Sequence, residues 1–148
     1  MGTDRGEDLR NGLTIKQLTV GQTYEQSFSV TAELIEDFAR VTAENNPIHL
    51  DDKFARETIF GKRVAQGMLQ AGLLSGVLGT HFPGMGTIYL SQTLKFIKPV
   101  FIDDEITLCL KVLEIIEKKN RVLLESIFTN QNGETVLTGE AMVMPRVY

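Results

Sequence analysis

The stretch GMLQAGLLSGVL, residues 67–78, decides the fold. Apart from Gln70 and Ser75 it is apolar nearly all round, the mark of a helix buried on most sides rather than a surface helix with one wet face. Glycines at 67, 72, 76 and 79 lower its helix propensity but permit close approach of other backbone, so packing has to hold it. From Thr87 onward the apolar period shortens to two: Ile88, Leu90, Leu94 and Phe96 form one such run, and Ile106, Leu108, Leu110 and Val112 the next. The runs from Val122 to Phe128 and from Thr135 to Met144 flank Asn132-Gly133, the strongest short hairpin signal a sequence carries. One long apolar helix followed by antiparallel strands can bury itself only if the sheet wraps it, which is an α+β arrangement.

Upstream, Tyr24, Phe28 and Val30 mark an extended entry. Thr31 is placed to cap a helix whose apolar positions Leu34, Ile35, Phe38, Val41 and Thr42 recur at helical spacing, with Glu33 suiting the dipole in its first turn. That helix should stop before Asn45-Asn46-Pro47, because a residue preceding proline is pushed out of the helical region. His49 is then expected just beyond a break, with a brief helix from Asp52 to Thr58 running out toward Gly61. Residues 1–12 are polar and charged and read as a flexible arm without assigned function, leaving 13–148 as a single domain with no internal repeat or linker.

Composition narrows the function. Hydrophobic residues make up 43% and charged residues 23% of the chain, which fits one soluble globular domain rather than a fibrous or disordered chain. A net charge of -4 leaves no broad basic surface for a phosphate backbone, so nucleic acid is not an expected partner. No apolar run is long enough to span a bilayer, and the opening residues lack the apolar core of a secretory signal, so no membrane partner is expected either. One cysteine and two histidines are too few for a disulfide or a structural zinc site, which fits a reducing, cytoplasmic setting with no bound metal.

The segment with chemistry in it is Glu44-Asn45-Asn46-Pro47-Ile48-His49-Leu50-Asp51. It sets a carboxylate and an imidazole around a proline-stiffened turn, where two titratable groups can converge on one substrate atom. The plainer alternative is that Asn46 closes the turn, Pro47 stiffens it and His49 bonds a neighbour. Backbone N–H groups around Gly67, at the positive end of the buried helix, can polarise a carbonyl, although glycine there serves simple helix packing equally well.

The blocks ENNPIHLD, FGKRVAQGML, SGVLGTHFPGMGTIYLSQTLKFIKPV and FTNQNGETVLTGEAMVMP, in that order, resemble the MaoC-like hydratases over nearly everything after the polar arm. The resemblance implies the hot-dog fold, an antiparallel sheet wrapped around a long central helix, in dimers or dimer-based assemblies. It implies an (R)-specific enoyl-CoA hydratase, or 3-hydroxyacyl-CoA dehydratase, that reversibly hydrates trans-2-enoyl-CoA to (R)-3-hydroxyacyl-CoA. Its substrate is an acyl-CoA and no separate cofactor is needed. Carried over residue by residue, His49 matches the catalytic histidine, Asn46 the motif asparagine and Ser75 a helix serine near the reacting groups. Glu44 stands where the family motif Asp-x-Asn-Pro-x-His has aspartate, and Gln66 where a histidine usually precedes the glycine. Acyl-CoA thioester hydrolysis, also found among hot-dog proteins, and a non-catalytic acyl-CoA-binding module are the rival readings.

Outside these blocks the plain readings come first. His81 lies in a loop beside Pro83-Gly84-Met85-Gly86, and Cys109 sits within a strand with no histidine near it in sequence to activate it. Lys62, Arg63, Lys95 and Lys98 flank the pocket blocks and are the candidates for coenzyme A phosphates, beside the ordinary reading that loop charges are simply solvated.

Overall fold

The computed structural model describes residues 11–147. Its elements are β1 (Thr23–Ser29), α1 (Ala32–Thr42), the one-turn α2 (Pro47–Leu50), α3 (Asp52–Arg56), α4 (Gly67–Thr80), β2 (Ile88–Gln92), β3 (Lys95–Phe96), β4 (Glu105–Ile116), β5 (Arg121–Thr129) and β6 (Thr135–Met144). The sheet runs β1-β4-β5-β6-β2, wholly antiparallel, with β3 also pairing with β6. This is the expected α+β hot-dog architecture, with the sheet curled along α4.

The inner face of the sheet follows the period of two closely. Ile106, Leu108, Leu110 and Val112 of β4 are all fully buried, as are Val122, Leu124 and Phe128 of β5 and Val136, Leu137, Ala141 and Val143 of β6. They close on Leu69, Leu74, Val77 and Leu78 of α4, forming one core. Burial of such side chains contributes about 1.5–3 kcal/mol each, which outweighs the propensity lost to the helix glycines. The helix is not enclosed on every side, however. Met68 is 55% exposed, and Gly72, Ser75 and Gly76 on the same side of α4 also face out, because the sheet curls around only part of the helix.

The run from Ile88 to Phe96 departs most from its expected form. It breaks into β2 and β3, with a register shift between Tyr89 and Ser91, and Ile88, Leu90 and Phe96 end up exposed. Alternation alone cannot say that a strand will bulge and break. The break between β2 and β3 passes close to β6 at Gly139, where an added Cβ would lie 2.0 Å from the Thr93 carbonyl oxygen. The β5–β6 hairpin forms where expected, through residues 130–134. Asn130 organises it, its Oδ1 accepting from the N–H groups of Asn132 and Glu134 at 3.0 Å, with Gly133 at φ +75°.

Thr31 caps α1 as expected, its Oγ1 accepting from the Leu34 N–H at 3.0 Å. Ile35 and Ala39 form the buried stripe, whereas Val41, counted among the apolar positions, is 74% exposed. Most of the expected polar arm, residues 1–10, lies outside the described residues; Gly12 and Leu13 are already fastened to the Pro83–Met85 loop through backbone bonds of 3.0 and 2.7 Å. Among the described residues no helix is long and apolar enough to cross a membrane.

Candidate active site

The turn after α1 is built from local rules. Ala43 takes a left-handed conformation (φ +58°), which ends α1 and swings the chain so that Glu44 leaves the helix. Asn46 then caps α2 through its Oδ1, accepting from the Ile48 N–H at 3.2 Å, and Pro47 occupies the first helical position, where its missing N–H costs nothing. His49 therefore lies just beyond the break, as expected, and inside a one-turn helix that was not expected there. A capped proline start is compatible with helix immediately after the break, which the preceding-residue rule does not forbid.

His49 is 8% exposed and has a polar neighbour at each end of its ring. Its Nδ1 donates to the Val64 carbonyl at 2.7 Å, and its Nε2 lies 3.5 Å from Glu44 Oε1. A carbonyl oxygen only accepts, so the neutral ring carries its proton on Nδ1 and keeps the Nε2 lone pair toward Glu44. The Glu44 side chain is 40% exposed, so the pair stands at a wet mouth and not in the core.

Glu44 and His49 open on a cavity of about 610 Å³, within the range of small-molecule sites, whose walls include Asn46, Gly67, Phe96 and Val100. Gly67 begins α4, and Gln66 before it makes no side-chain cap, so the Gly67 and Met68 N–H groups have no hydrogen-bond partner among the described residues. The surroundings of this glycine are compatible with both readings. An added Cβ would meet Phe96 Cε1 at 2.7 Å, so any larger residue would have to displace that ring, and the unpaired N–H groups of the first turn lie beside the cavity. Asn46 lines the cavity, but its side-chain oxygen serves the cap. Ser75 is not brought to this site: it lies farther along α4, exposed, and is not among the residues lining the cavity.

Gln66 is 2% exposed; its Nε2 donates to the Ile35 carbonyl at 3.0 Å, and its Oε1 is buried without a hydrogen-bond partner among the described residues. The four cationic candidates separate. Lys98 lines the cavity and pairs with Glu134, a bond that holds the Glu134 carboxyl below its ordinary value. The Lys62 ammonium lies 4.4 Å from the centroid of the Phe101 ring, and Lys95 is exposed on β3. Arg63 does not fit a phosphate role. It is 9% exposed, its Nε donates to the His49 carbonyl at 2.7 Å, and one terminal nitrogen lies 3.7 Å from Glu36 Oε1. His81 is exposed with its ring stacked on Tyr24, and Cys109 faces Glu25 across β1–β4. Burial first, and the nearby carboxylates second, push the Cys109 thiol up and away from reactivity. The sequence reading missed the Val64 carbonyl and the burial of Arg63; a backbone acceptor has no side-chain signature to find.

Fold and site together define a hot-dog protein with an imidazole–carboxylate pair beside the start of its central helix. Comparison with known proteins narrows this class. Residues 16–131 match the MaoC like domain. The chain is 41% identical over 131 residues to a 3-hydroxybutyryl-CoA dehydratase of Methylorubrum extorquens, covering 88% of this chain and 83% of the relative. It is 40% identical to an (R)-specific enoyl-CoA hydratase of Aeromonas caviae, covering 88% and 98%. An (R)-hydratase of Pseudomonas aeruginosa, solved without ligand, aligns with a TM-score of 0.89 at 40% identity over 93% of this chain and 88% of that one. The chain belongs to the MaoC-like domain family.

Proposed function

We propose that this protein is a hydro-lyase that reversibly adds water to trans-2-enoyl-CoA, giving (R)-3-hydroxyacyl-CoA, with no cofactor beyond the coenzyme A of its substrate. The observation that carries the reading is the approach of His49 Nε2 to Glu44 Oε1, 3.5 Å, at a cavity that also reaches Gly67. The names of the relatives at about 40% identity support it. Two acceptors that face each other hold a water by both of its O–H bonds. As the water oxygen bonds to C3, its proton passes to one of them, and the C2=C3 electrons shift toward the thioester oxygen. C2 then takes a proton from the same pair, with Glu44 and His49 sharing the acid and base roles. Because both groups stand on one side of the substrate, water and proton add syn. The Gly67 and Met68 N–H groups face the developing oxyanion, aided by the helix dipole.

The working form is a cytoplasmic homodimer. Met68, Ile88, Leu90 and Phe96, all exposed in the single chain, supply an apolar surface for a second copy. Light scattering at micromolar concentration checks this, and a monomer counts against it.

The reaction is tested with crotonyl-CoA by following the enoyl absorbance and free thiol in parallel. Loss of absorbance without thiol is expected. Thiol release instead marks a thioesterase, and binding with neither signal marks a non-catalytic module. Coupling to an (S)-specific 3-hydroxyacyl-CoA dehydrogenase should yield no NADH.

A further inference from the structure

We infer that Arg63 is the positioning residue of the acid–base pair: its buried guanidinium anchors the His49 carbonyl and so holds the imidazole in register with Glu44. This rests on the hydration reading for its catalytic consequence, but not for its geometry.

Burying a guanidinium is unfavourable unless its donors are used, so a 9% exposed arginine asks what it is bonded to. Its Nε donates to the His49 carbonyl at 2.7 Å; one terminal nitrogen has no hydrogen-bond partner among the described residues and meets Glu36 of α1 only as a charge, at 3.7 Å. It therefore touches α2, which carries His49, and α1, which leads into Glu44. Arg63 itself is not among the residues lining the cavity.

The need for such an anchor follows from the size of α2. A helix of one turn has almost no internal bonds to hold it, and the carbonyls of its last turn lack helical partners. His49 stands in that last turn. Arg63 supplies the missing donor for its carbonyl, and the next residue, Val64, takes the ring N–H at 2.7 Å and gives its own N–H to the Ile48 carbonyl at 3.3 Å. Two residues after Val64, Gln66 ties the same segment to α1 through the Ile35 carbonyl at 3.0 Å. Segment 63–66 is thus a rack to which both elements that deliver the reacting groups are fastened. Without the guanidinium the His49 carbonyl loses its donor and α2 is free to rotate about its remaining ties. A displacement of about 1 Å in a catalytic group costs on the order of a hundredfold in rate.

The test uses Arg63→Met, which keeps the unbranched stem without a donor, and Arg63→Lys, which keeps the charge without the planar fork. Three quantities are read on the full chain: kcat and KM for crotonyl-CoA, the thermal midpoint, and the ring nitrogen NMR signals of His49. With only two histidines in the chain, His49→Ala assigns those signals. The expected result for Arg63→Met is a kcat lower by about a hundredfold with KM changed less than about threefold. The His49 ring should also pass from a uniform Nδ1–H tautomer to a mixture of the two. Arg63→Lys should fall between Arg63→Met and wild type in both, and it carries the same test if Arg63→Met does not fold. A kcat within about threefold of wild type with unchanged ring signals overturns the proposal. The tautomer change in a chain with no hydratase activity even as wild type would sink the hydratase reading and leave the anchor standing.

Discussion

The middle of the sheet and the wall of the cavity are held in opposite ways. Across β4, β5 and β6 the rows Leu108↔Phe128 and Leu124↔Ala141 join side chains with no exposure at all, and their attraction is non-directional dispersion and water exclusion. The wall made by α1, α2 and segment 63–66 depends instead on single directed bonds: 2.7 Å from His49 to Val64, 2.7 Å from Arg63 to His49, 3.0 Å from Gln66 to Ile35. Apolar contact resists unfolding but tolerates small sliding, whereas a hydrogen bond contributes only about 1 kcal/mol yet fixes atoms to a fraction of an ångström. Stability and chemistry are therefore placed in different parts of this chain, and a substitution should disturb one far more than the other.

The strongest challenge to that division is Glu44→Gln. It keeps the shape of the side chain and removes its titratable proton, so hydration of crotonyl-CoA should slow by about a hundredfold to ten-thousandfold while KM is roughly kept. The thermal midpoint should hardly move, because Glu44 has no part in the core; a large fall in stability would show that the two regions are not separate. Leu108→Ala approaches from the other side. Truncating this fully buried residue should cost about 2–5 kcal/mol in urea unfolding, with turnover per folded molecule close to wild type.

Asn46→Ala probes the seam, since Asn46 caps the turn that carries His49. A lost cap costs about 1 kcal/mol, and the rate should suffer more than that modest loss of stability suggests. The smallest effect belongs to Tyr89, on the outer strand β2, whose phenol is pushed up by burial to about 12. The unfolded phenol ionises near its ordinary value of 10.0, so the contribution of Tyr89 is complete below that pH and is lost as pH rises through about 12. Tyr89→Phe should flatten that alkaline limb of the stability profile, measured by urea midpoint against pH.

What could be read in advance divides along the same line. Alternation along β4 and β5 reports which residues turn inward, because every second side chain on a strand shares a face whatever its partner is. Thr31 and the Asn46-Pro47 start are also legible, since a cap and its helix are neighbours in sequence. Gly67 was legible as a glycine at the start of the buried helix, but not as the neighbour of Phe96, whose ring comes from another element.

By itself, then, the sequence determined an apolar helix that needs a cover, strands of the right period to provide it, and a carboxylate and an imidazole on either side of one turn. Only the tertiary structure decided that the run from Ile88 to Phe96 would bulge and leave its apolar residues outside, that Ser75 would lie away from the cavity, and that Arg63 would turn inward to hold His49. The physical reason is range. Periodicity, capping and turn chemistry act between residues a few places apart, and so they leave a pattern in the chain. The bonds from Arg63 to His49, His49 to Val64 and Gln66 to Ile35 bridge separations of 14, 15 and 31 residues. All three end on backbone carbonyls, groups that every residue carries and no spacing reveals.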